Sequence, residues 1–407
     1  MDHAFLLGSP CCTCITVLHA YKLWGRRERR QESCAWSAVW RRRLPPRLMK
    51  ALQTLKGTIK VIEMSKTLLS GHTYEELKEE ELKALDLDHF DHGVVRIQPE
   101  GWLYPGTAPI YLDKLYNMEF RSDDVIVKTI SKCGTTWMQE IVWTMLHNPN
   151  LENPKADESL WVRSEDLSLD MMFDLKLLKG QPPKYFLKKF NEACPGKKWE
   201  EGLSLQLAEV AKSPRVFKSH FPLSLYADDI LDRIKVVYVA RNPKDMIISY
   251  FYFYDTLKPF PMVSTMEDIQ KRLMDGQILY GQYWPHVKQA WQKRHHPNLH
   301  FVFYEDMKAD IMLELRKLNE FLGTQLSEEK LEAIAQYTSF SSMKARGEPS
   351  QDDIFHKENK SDVTFFRKGK TGDWKNHFTP ELQKKMDHWI KENIADSDLS
   401  LKWALAE

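Results

Sequence analysis

Short stretches that are apolar at nearly every position alternate along this chain with longer ones that are apolar every third or fourth. Val125-Ile-Val-Lys-Thr-Ile130 and Ile234-Lys-Val-Val-Tyr-Val-Ala240 are each broken only by one lysine. Such runs predict strands covered on both faces, as in a parallel sheet. Leu299-His-Phe-Val-Phe-Tyr-Glu-Asp306 reads as a further strand ending in acidic residues, and Val216-Phe217 as a short one stopped by Pro222. After the first run the apolar positions shift to helical spacing at Trp137, Met138, Ile141, Val142, Met145 and Leu146. Met246 to Tyr254 follows the second as an aromatic-rich helix. Ile311, Leu313, Leu315, Leu318 and Leu322 follow the third. Strands alternating with helices predict an α/β fold, a single domain with a central, mostly parallel sheet flanked by helices.

Other segments are read by the same pattern. Thr73-Tyr-Glu-Glu-Leu-Lys, with its charged run to Lys83, predicts a capping-box helix start and a solvated helix. Gly101 to Pro105 and Pro109 form a turn-rich approach to the first strand. Leu167 to Lys189, with Pro182-Pro183, reads as a surface flap, and Trp199 to Lys212 as a helix with Leu203, Leu207 and Val210 on one face. Ser327 to Tyr337 predicts a capped helix that Thr338 to Met343 leaves as a loop.

Candidate chemistry falls where these strands end. Between the first strand and its helix lies Ser131-Lys-Cys-Gly134, followed by Thr135 and Thr136. Free amides at a helix start, a lysine and two hydroxyls make an anion cradle. The loop is not a Walker A motif, because Lys132 precedes the glycine; a plain strand–helix turn is the bland alternative. Lys218 and His220 lie two apart and project from one face of a short strand. A lone histidine there is more often structural, but a Lys–His pair at a strand's carboxyl end beside an anion loop favours a site. Arg241 leaves the clearest strand, Asn242-Pro243 enforces the break, Asp245 suits a helix cap, and Ser249 lies in the helix beyond. Phe365-Phe-Arg-Lys-Gly-Lys-Thr-Gly-Asp-Trp374 is a basic, glycine-broken loop with rings at both ends, built like a lid for a nucleotide phosphate.

Composition changes this picture mainly at the amino end. The chain of 407 residues has a formal net charge of +1, yet residues 1–63 hold twelve Lys or Arg and only four Asp or Glu. A mildly acidic body with a basic leader argues against a nucleic-acid binder. Cys11, Cys12, Cys14 and Cys34 lie in the leader and only Cys133 and Cys194 beyond it, which suits a reducing compartment. The apolar part of the leader is interrupted by His19, Tyr21 and Lys22, and its arginines follow the apolar run instead of preceding it. Residues 1–63 are therefore expected to be a disordered or non-native extension without function, and residues 64–407 the working domain. No membrane association is expected.

Taken together, the motifs resemble the cytosolic sulfotransferases, from about Gly101 to Trp374 and on toward the C-terminus. Ile130-Ser-Lys-Cys-Gly-Thr-Thr-Trp137 is similar to that family's P-loop-like phosphosulfate-binding loop, and Lys218-Ser-His-Phe-Pro222 to its catalytic segment. Tyr238-Val-Ala-Arg-Asn-Pro-Lys-Asp245 through Ser249-Tyr250 is similar to its 3′-phosphate site, and Phe366-Arg-Lys-Gly369 with Gly372-Asp-Trp374 to its closing lid. The resemblance implies transfer of a sulfuryl group from 3′-phosphoadenosine 5′-phosphosulfate (PAPS) to a hydroxyl or amine of a small, largely apolar acceptor such as a phenol or steroid. It implies that Lys132 meets the sulfuryl group, that Cys133, Gly134, Thr135 and Thr136 wrap the 5′-phosphate, and that His220 is the catalytic base with Lys218 supporting the sulfuryl oxygens. Arg241, Ser249, Arg367, Lys368 and Gly369 would hold the 3′-phosphate. Trp137, Tyr304, Thr338, Ser339, Phe340, Met343, Phe365 and Phe366 would surround the adenine, and Phe253 the acceptor, in a flat pocket suggested by Tyr250 to Phe253. Cytoplasmic location, no metal and no nucleic-acid partner complete the expectation.

Three departures from the family pattern stand out. Ser131 replaces a proline and is expected to loosen the loop. Cys133 replaces a serine, swapping a good donor for a weak one and inviting thiol reagents if its thiolate is stabilised. The family's dimer motif has Pro380 and Lys384 where Val and Glu are usual, so the customary homodimer is in doubt. Two other readings stay open on the residues: a P-loop nucleotide kinase, which the misplaced lysine disfavours, and a membrane-anchored glycan sulfotransferase, which wants a full apolar span.

Overall fold

The computed structural model describes residues 66–256, 264–347 and 366–399. The leader, residues 1–63, and Phe365 lie outside the described residues. The central sheet has four parallel strands: β4 (Val125–Thr129), β5 (Val216–Ser219), β6 (Lys235–Ala240) and β7 (Leu299–Phe303), in the order β5-β4-β6-β7. Val127 stands opposite Lys218 on one side and Val237 on the other, so the carboxyl ends of three strands reach the same edge.

Side chains alternate across this sheet as the apolar runs require. Val125, Val127, Val237, Val239 and Val302 pack under the helices Thr135–His147 and Ile311–Leu322, against Met138, Ile141, Leu315 and Leu318. Ile126, Phe217, Val236 and Tyr238 face the opposite core with Ile247, Tyr283 and Val287. Lys128 is on that second face, fully buried. Its ammonium reaches the Phe221 carbonyl and lies 3.9 Å above the Tyr226 ring, and burial pushes its pKa well below the ordinary value.

A smaller antiparallel sheet joins β1 (Thr73–Glu76), β2 (Val94–Gln98) and β3 (Trp102–Pro105). Thr73 therefore begins a strand, not a helix. Pairing of Thr73 to Glu76 with Gln98 to Val95 satisfies backbone groups that a local capping box would leave to solvent. The helix starts only at Glu79, where the Lys78 amide donates to the Glu81 carboxylate at 3.2 Å.

Four other expectations need correction. Leu167 to Lys189 is not a flap: Leu169, Phe173, Phe186 and Phe190 form a buried cluster with Leu203 and Leu207. Phe186 and Phe190, four apart on the helix Lys184–Ala193, turn inward while Lys184 and Lys188 stay out. Val210, at the end of the helix Leu203–Val210, is exposed. Thr338 to Met343 is no loop, because Ser339 accepts from the Ser342 amide at 3.3 Å and caps the helix Phe340–Arg346. Asp245 is not the cap of the helix Pro243–Thr256; the Asn242 side chain accepts from the Lys244 amide at 2.9 Å. Asp245 turns to the basic loop, accepting from the amides of Gly372 at 2.6 Å and Trp374 at 3.0 Å.

Candidate active site

Three strand ends and the basic loop enclose one cleft of about 250 Å³. After β4 the chain turns so sharply that Lys132 takes φ +67° and Gly134 φ +101°. A Cβ on Gly134 would stand 2.7 Å from the Tyr304 ring, so glycine is required there for space as well as for its backbone angle. The turn is held from within by the Thr129 and Thr135 hydroxyls, 2.6 Å apart, and from outside by Arg241, whose Nη1 donates to the Lys132 carbonyl at 3.0 Å. No side chain caps the helix Thr135–His147, and Gly134, Thr135 and Thr136 line the cleft. An anion placed there meets first-turn amides at the positive end of the helix dipole.

Lys132 is half-buried, with its ammonium 3.7 Å above the Phe253 ring. Burial, followed by the charges of Lys218, Arg241 and Arg367, lowers its pKa to about 7. Arrival of an anion would favour the charged form.

At the end of β5, His220 Nδ1 lies 3.0 Å from the Thr129 carbonyl. A carbonyl only accepts, so Nδ1 carries the proton and Nε2 presents its lone pair. Burial and then Lys218 lower this imidazole's pKa to about 4, against the opposing pull of Asp166 and of the Thr129 carbonyl. His286 donates from Nε2 to the His220 carbonyl at 3.1 Å and is itself fixed at Nδ1 by Tyr238, 2.6 Å away. Lys218 is paired with Asp166, at 2.8 Å.

Arg241, buried at the end of β6, donates from Nη2 to the Lys370 carbonyl at 3.2 Å and lies 4.4 Å over the Tyr304 ring. Its Nε is buried without a hydrogen-bond partner among the described residues. Ser249 lines the same wall. From the basic loop, Phe366 meets Phe340 edge to face with centroids 5.9 Å apart, and a Cβ on Gly369 would come within 2.1 Å of the Phe340 ring. Arg367 and Lys368 line the cleft, but both end on Asp373, at 2.8 and 2.7 Å. Trp137 and Tyr304 pack edge to face at 5.6 Å, with Met343 nearby on the lining.

Three expected site residues are elsewhere. Thr338 is fully buried and donates to the Ile334 carbonyl at 2.8 Å, and Ser339 is occupied as a helix cap. The Cys133 side chain points into the core beneath the loop, away from the cleft, and burial pushes its thiol pKa far up. The expected sensitivity to thiol reagents has no basis there. Of the aromatic run Tyr250 to Phe253, only Phe253 reaches the cleft; Tyr250 is buried against Leu279.

The rest of the apolar end comes from residues that pattern alone did not single out: Trp161, Leu169, Met172, Tyr254 and Tyr280, the last edge-on to His220 with centroids 5.9 Å apart. Asp166 was missed as well. It lies in an irregular segment, Ser164-Glu-Asp-Leu-Ser168, whose mixed polar pattern carries no periodic signal. Among the described residues around the cleft, Lys132, Lys218, Arg241, Lys308, Arg367, Lys368 and Lys370 face a single carboxylate, Asp166. Among the described residues no group of three or more His, Cys, Asp or Glu is placed to hold a metal ion, and no helix is long and apolar enough to cross a membrane.

A cationic cleft at the carboxyl edge of a parallel sheet, with an uncapped helix start at one end and an imidazole over apolar residues at the other, defines a group-transfer enzyme with an anionic donor. The chain belongs to the sulfotransferase family: residues 122–398 match the family model for the sulfotransferase domain. It is 35% identical to rat sulfotransferase 1A1 over 297 residues, covering 72% of this chain and 91% of that one. It is 32% identical to bovine sulfotransferase 1E1 over 305 residues, with 73% and 94% covered. Among solved structures it is similar to retinol dehydratase in a complex with retinol and PAP, at 30% identity and a TM-score of 0.68, over 81% of this chain and 98% of that one. The same protein in complex with androsterone and the inactive cofactor PAP gives 29% identity and the same TM-score. The enzyme is a sulfotransferase, and the kinase alternative is set aside.

Proposed function

We propose that the protein transfers the sulfuryl group of PAPS to a hydroxyl of a small, largely apolar acceptor, a phenol or a steroid-like alcohol, with His220 as general base. The observation that carries this reading is the polarity of the cleft: cations gather around the uncapped helix and the basic loop, while aromatic and aliphatic side chains line the part that holds His220. The residues fit the nucleotide donor. Arg241 offers a buried Nε with no partner among the described residues, and at Gly134 and Gly369 a side chain would run into the Tyr304 and Phe340 rings that border the cleft.

In this reading Lys132 and the first-turn amides of Gly134 to Thr136 hold the 5′-phosphosulfate and steady the charge that develops on the bridging oxygen. Arg241, Ser249 and the Arg367–Gly369 segment take the 3′-phosphate, and Trp137, Tyr304, Phe340, Met343 and Phe366 enclose the adenine. The acceptor oxygen forms its bond to sulfur as the sulfur–phosphate oxygen bond breaks, and its proton passes to His220 Nε2. Retinol and androsterone, bound in the related retinol dehydratase structures, are apolar alcohols of the size and kind proposed here. A cytoplasmic setting agrees with the few cysteines beyond the leader. Pro380 occupies the first turn of the helix Pro380–Ile394 behind the Thr379 cap, and Lys384 is exposed on it; the homodimer is not part of the proposal. The test is turnover with labelled PAPS across phenols, sterols, polyisoprenoid alcohols and amines. Labelled product from the first three classes is expected, and no sulfated product from any class would overturn the proposal.

A further inference from the structure

Asp166 is the only carboxylate lining the cleft among the described residues, and it is fixed more firmly than a surface counter-ion would be. Its segment runs beside β5 as a parallel bridge to Lys218: the Lys218 amide donates to the Glu165 carbonyl and the Leu167 amide to the Lys218 carbonyl, both at 2.9 Å. The Ser204 hydroxyl binds the Asp166 carbonyl at 2.6 Å. Of the two carboxylate oxygens, Oδ1 accepts from the Ser168 amide at 2.9 Å and hydroxyl at 2.5 Å, which leaves Oδ2 aimed at Lys218 Nζ, 2.8 Å away. Lys218 lies two residues before His220 on the same strand face, with its ammonium 4.9 Å from the centre of the Trp161 ring. None of the groups assigned above to the nucleotide's phosphates is among these contacts.

We propose that Asp166 is a positioning residue for the transfer step: it holds the Lys218 ammonium at the acceptor end of the cleft and offsets that charge beside the imidazole of His220. This rests on His220 acting as the base. Without the carboxylate, a mobile lysine would stand next to the group that must accept a proton. The other charged or titratable groups around the pair are Lys132 from the loop after β4, His286 behind the His220 carbonyl, and Tyr280 and Tyr226. Asp170 and the Glu165–Lys189 pair also bear on Asp166. Burial raises the Asp166 pKa, but Lys218, His220 and Ser168 outweigh it and leave the group more acidic than usual, so its charge is present throughout the working range.

Opposite substitutions give opposite signs. Asp166→Asn leaves Lys218 unopposed, makes His220 a weaker base and moves the acid limb of kcat to lower pH. Lys218→Met removes the cation and moves that limb to higher pH. Asp166→Asn is expected to lower kcat by roughly tenfold, a fraction of what loss of a general base costs, with the KM for PAPS within about twofold because the donor contacts are elsewhere. Asp166→Glu, which keeps the charge, recovers most of kcat. In the Lys218→Met background, Asp166→Asn costs clearly less than in the wild type, since coupled residues are non-additive. The proposal is overturned by an acid limb that stays put in both single variants, by equal losses with Asn and Glu, or by the same loss with and without Lys218. Full activity of His220→Ala, measured alongside, would instead remove the base assignment beneath it.

Discussion

Replacing Arg241 with lysine tests the donor site most directly. The arginine ties three things together: the Lys132 carbonyl at 3.0 Å, the Lys370 carbonyl at 3.2 Å, and the face of Tyr304 at 4.4 Å. A lysine has one nitrogen and no planar fork, so it cannot hold both loops and also present a bidentate edge to phosphate. A hydrogen bond to a charged group contributes about 1.5–3 kcal/mol. Loss of one such contact to the 3′-phosphate therefore corresponds to roughly 10- to 100-fold in affinity, at about 1.4 kcal/mol per factor of ten. The expected outcome is a KM for PAPS raised by that factor and a smaller preference for PAPS over adenosine 5′-phosphosulfate, which lacks the 3′-phosphate. The acceptor KM should move little. Steady-state kinetics of both proteins with both donors make the comparison. An unchanged ratio of kcat/KM between the donors would remove Arg241 from the 3′-phosphate site, whatever happened to overall activity.

Three further outcomes are expected. His220→Ala should lose roughly 10²–10⁴-fold in kcat while calorimetric titration still registers binding of the nucleotide product, 3′,5′-adenosine bisphosphate. Cys133 should resist alkylation in the native protein, because its thiol is buried and burial disfavours the thiolate; a Cys133 peptide modified by iodoacetamide before unfolding would contradict its placement. Asp124→Asn should cost about 3–5 kcal/mol of stability. It breaks a fully buried pair in which Arg215 donates from Nε at 2.7 Å and from Nη2 at 2.5 Å, and denaturant unfolding will read the loss.

The parallel sheet was legible because strands covered on both faces must be apolar at almost every position, and β4 and β6 show this without any knowledge of their neighbours. β1 was not. Thr73 to Glu76 is mostly exposed and polar, and its strand character comes from pairing with residues about twenty positions further on. Local chemistry there points to a helix start, and the non-local ladder overrides it. The segment 167–189 failed for a related reason. Its apolar residues are spread over two short turns and a helix, and only the folded chain gathers them around Leu203 and Leu207.

The same division runs through the site. The donor end is built from strand–loop–helix turns whose residues are close in sequence, so Lys132, Gly134, Thr135, Thr136 and Arg241 could be found by reading outward from two strands. The acceptor end is assembled from loops: Trp161, Asp166, Leu169, Met172 and Tyr280 come from segments with no shared period, brought to His220 by tertiary contacts. A donor common to a whole family can be held by a motif. Acceptor choice depends on the shape that such loops leave around one imidazole. The Asp166–Lys218 bridge belongs to this second kind of information: two residues 52 positions apart, paired by a single β-bridge and a carboxylate whose other oxygen is already occupied. Moving the acid limb of turnover through that bridge would show that these loops set the basicity of the imidazole as well as the shape of the pocket.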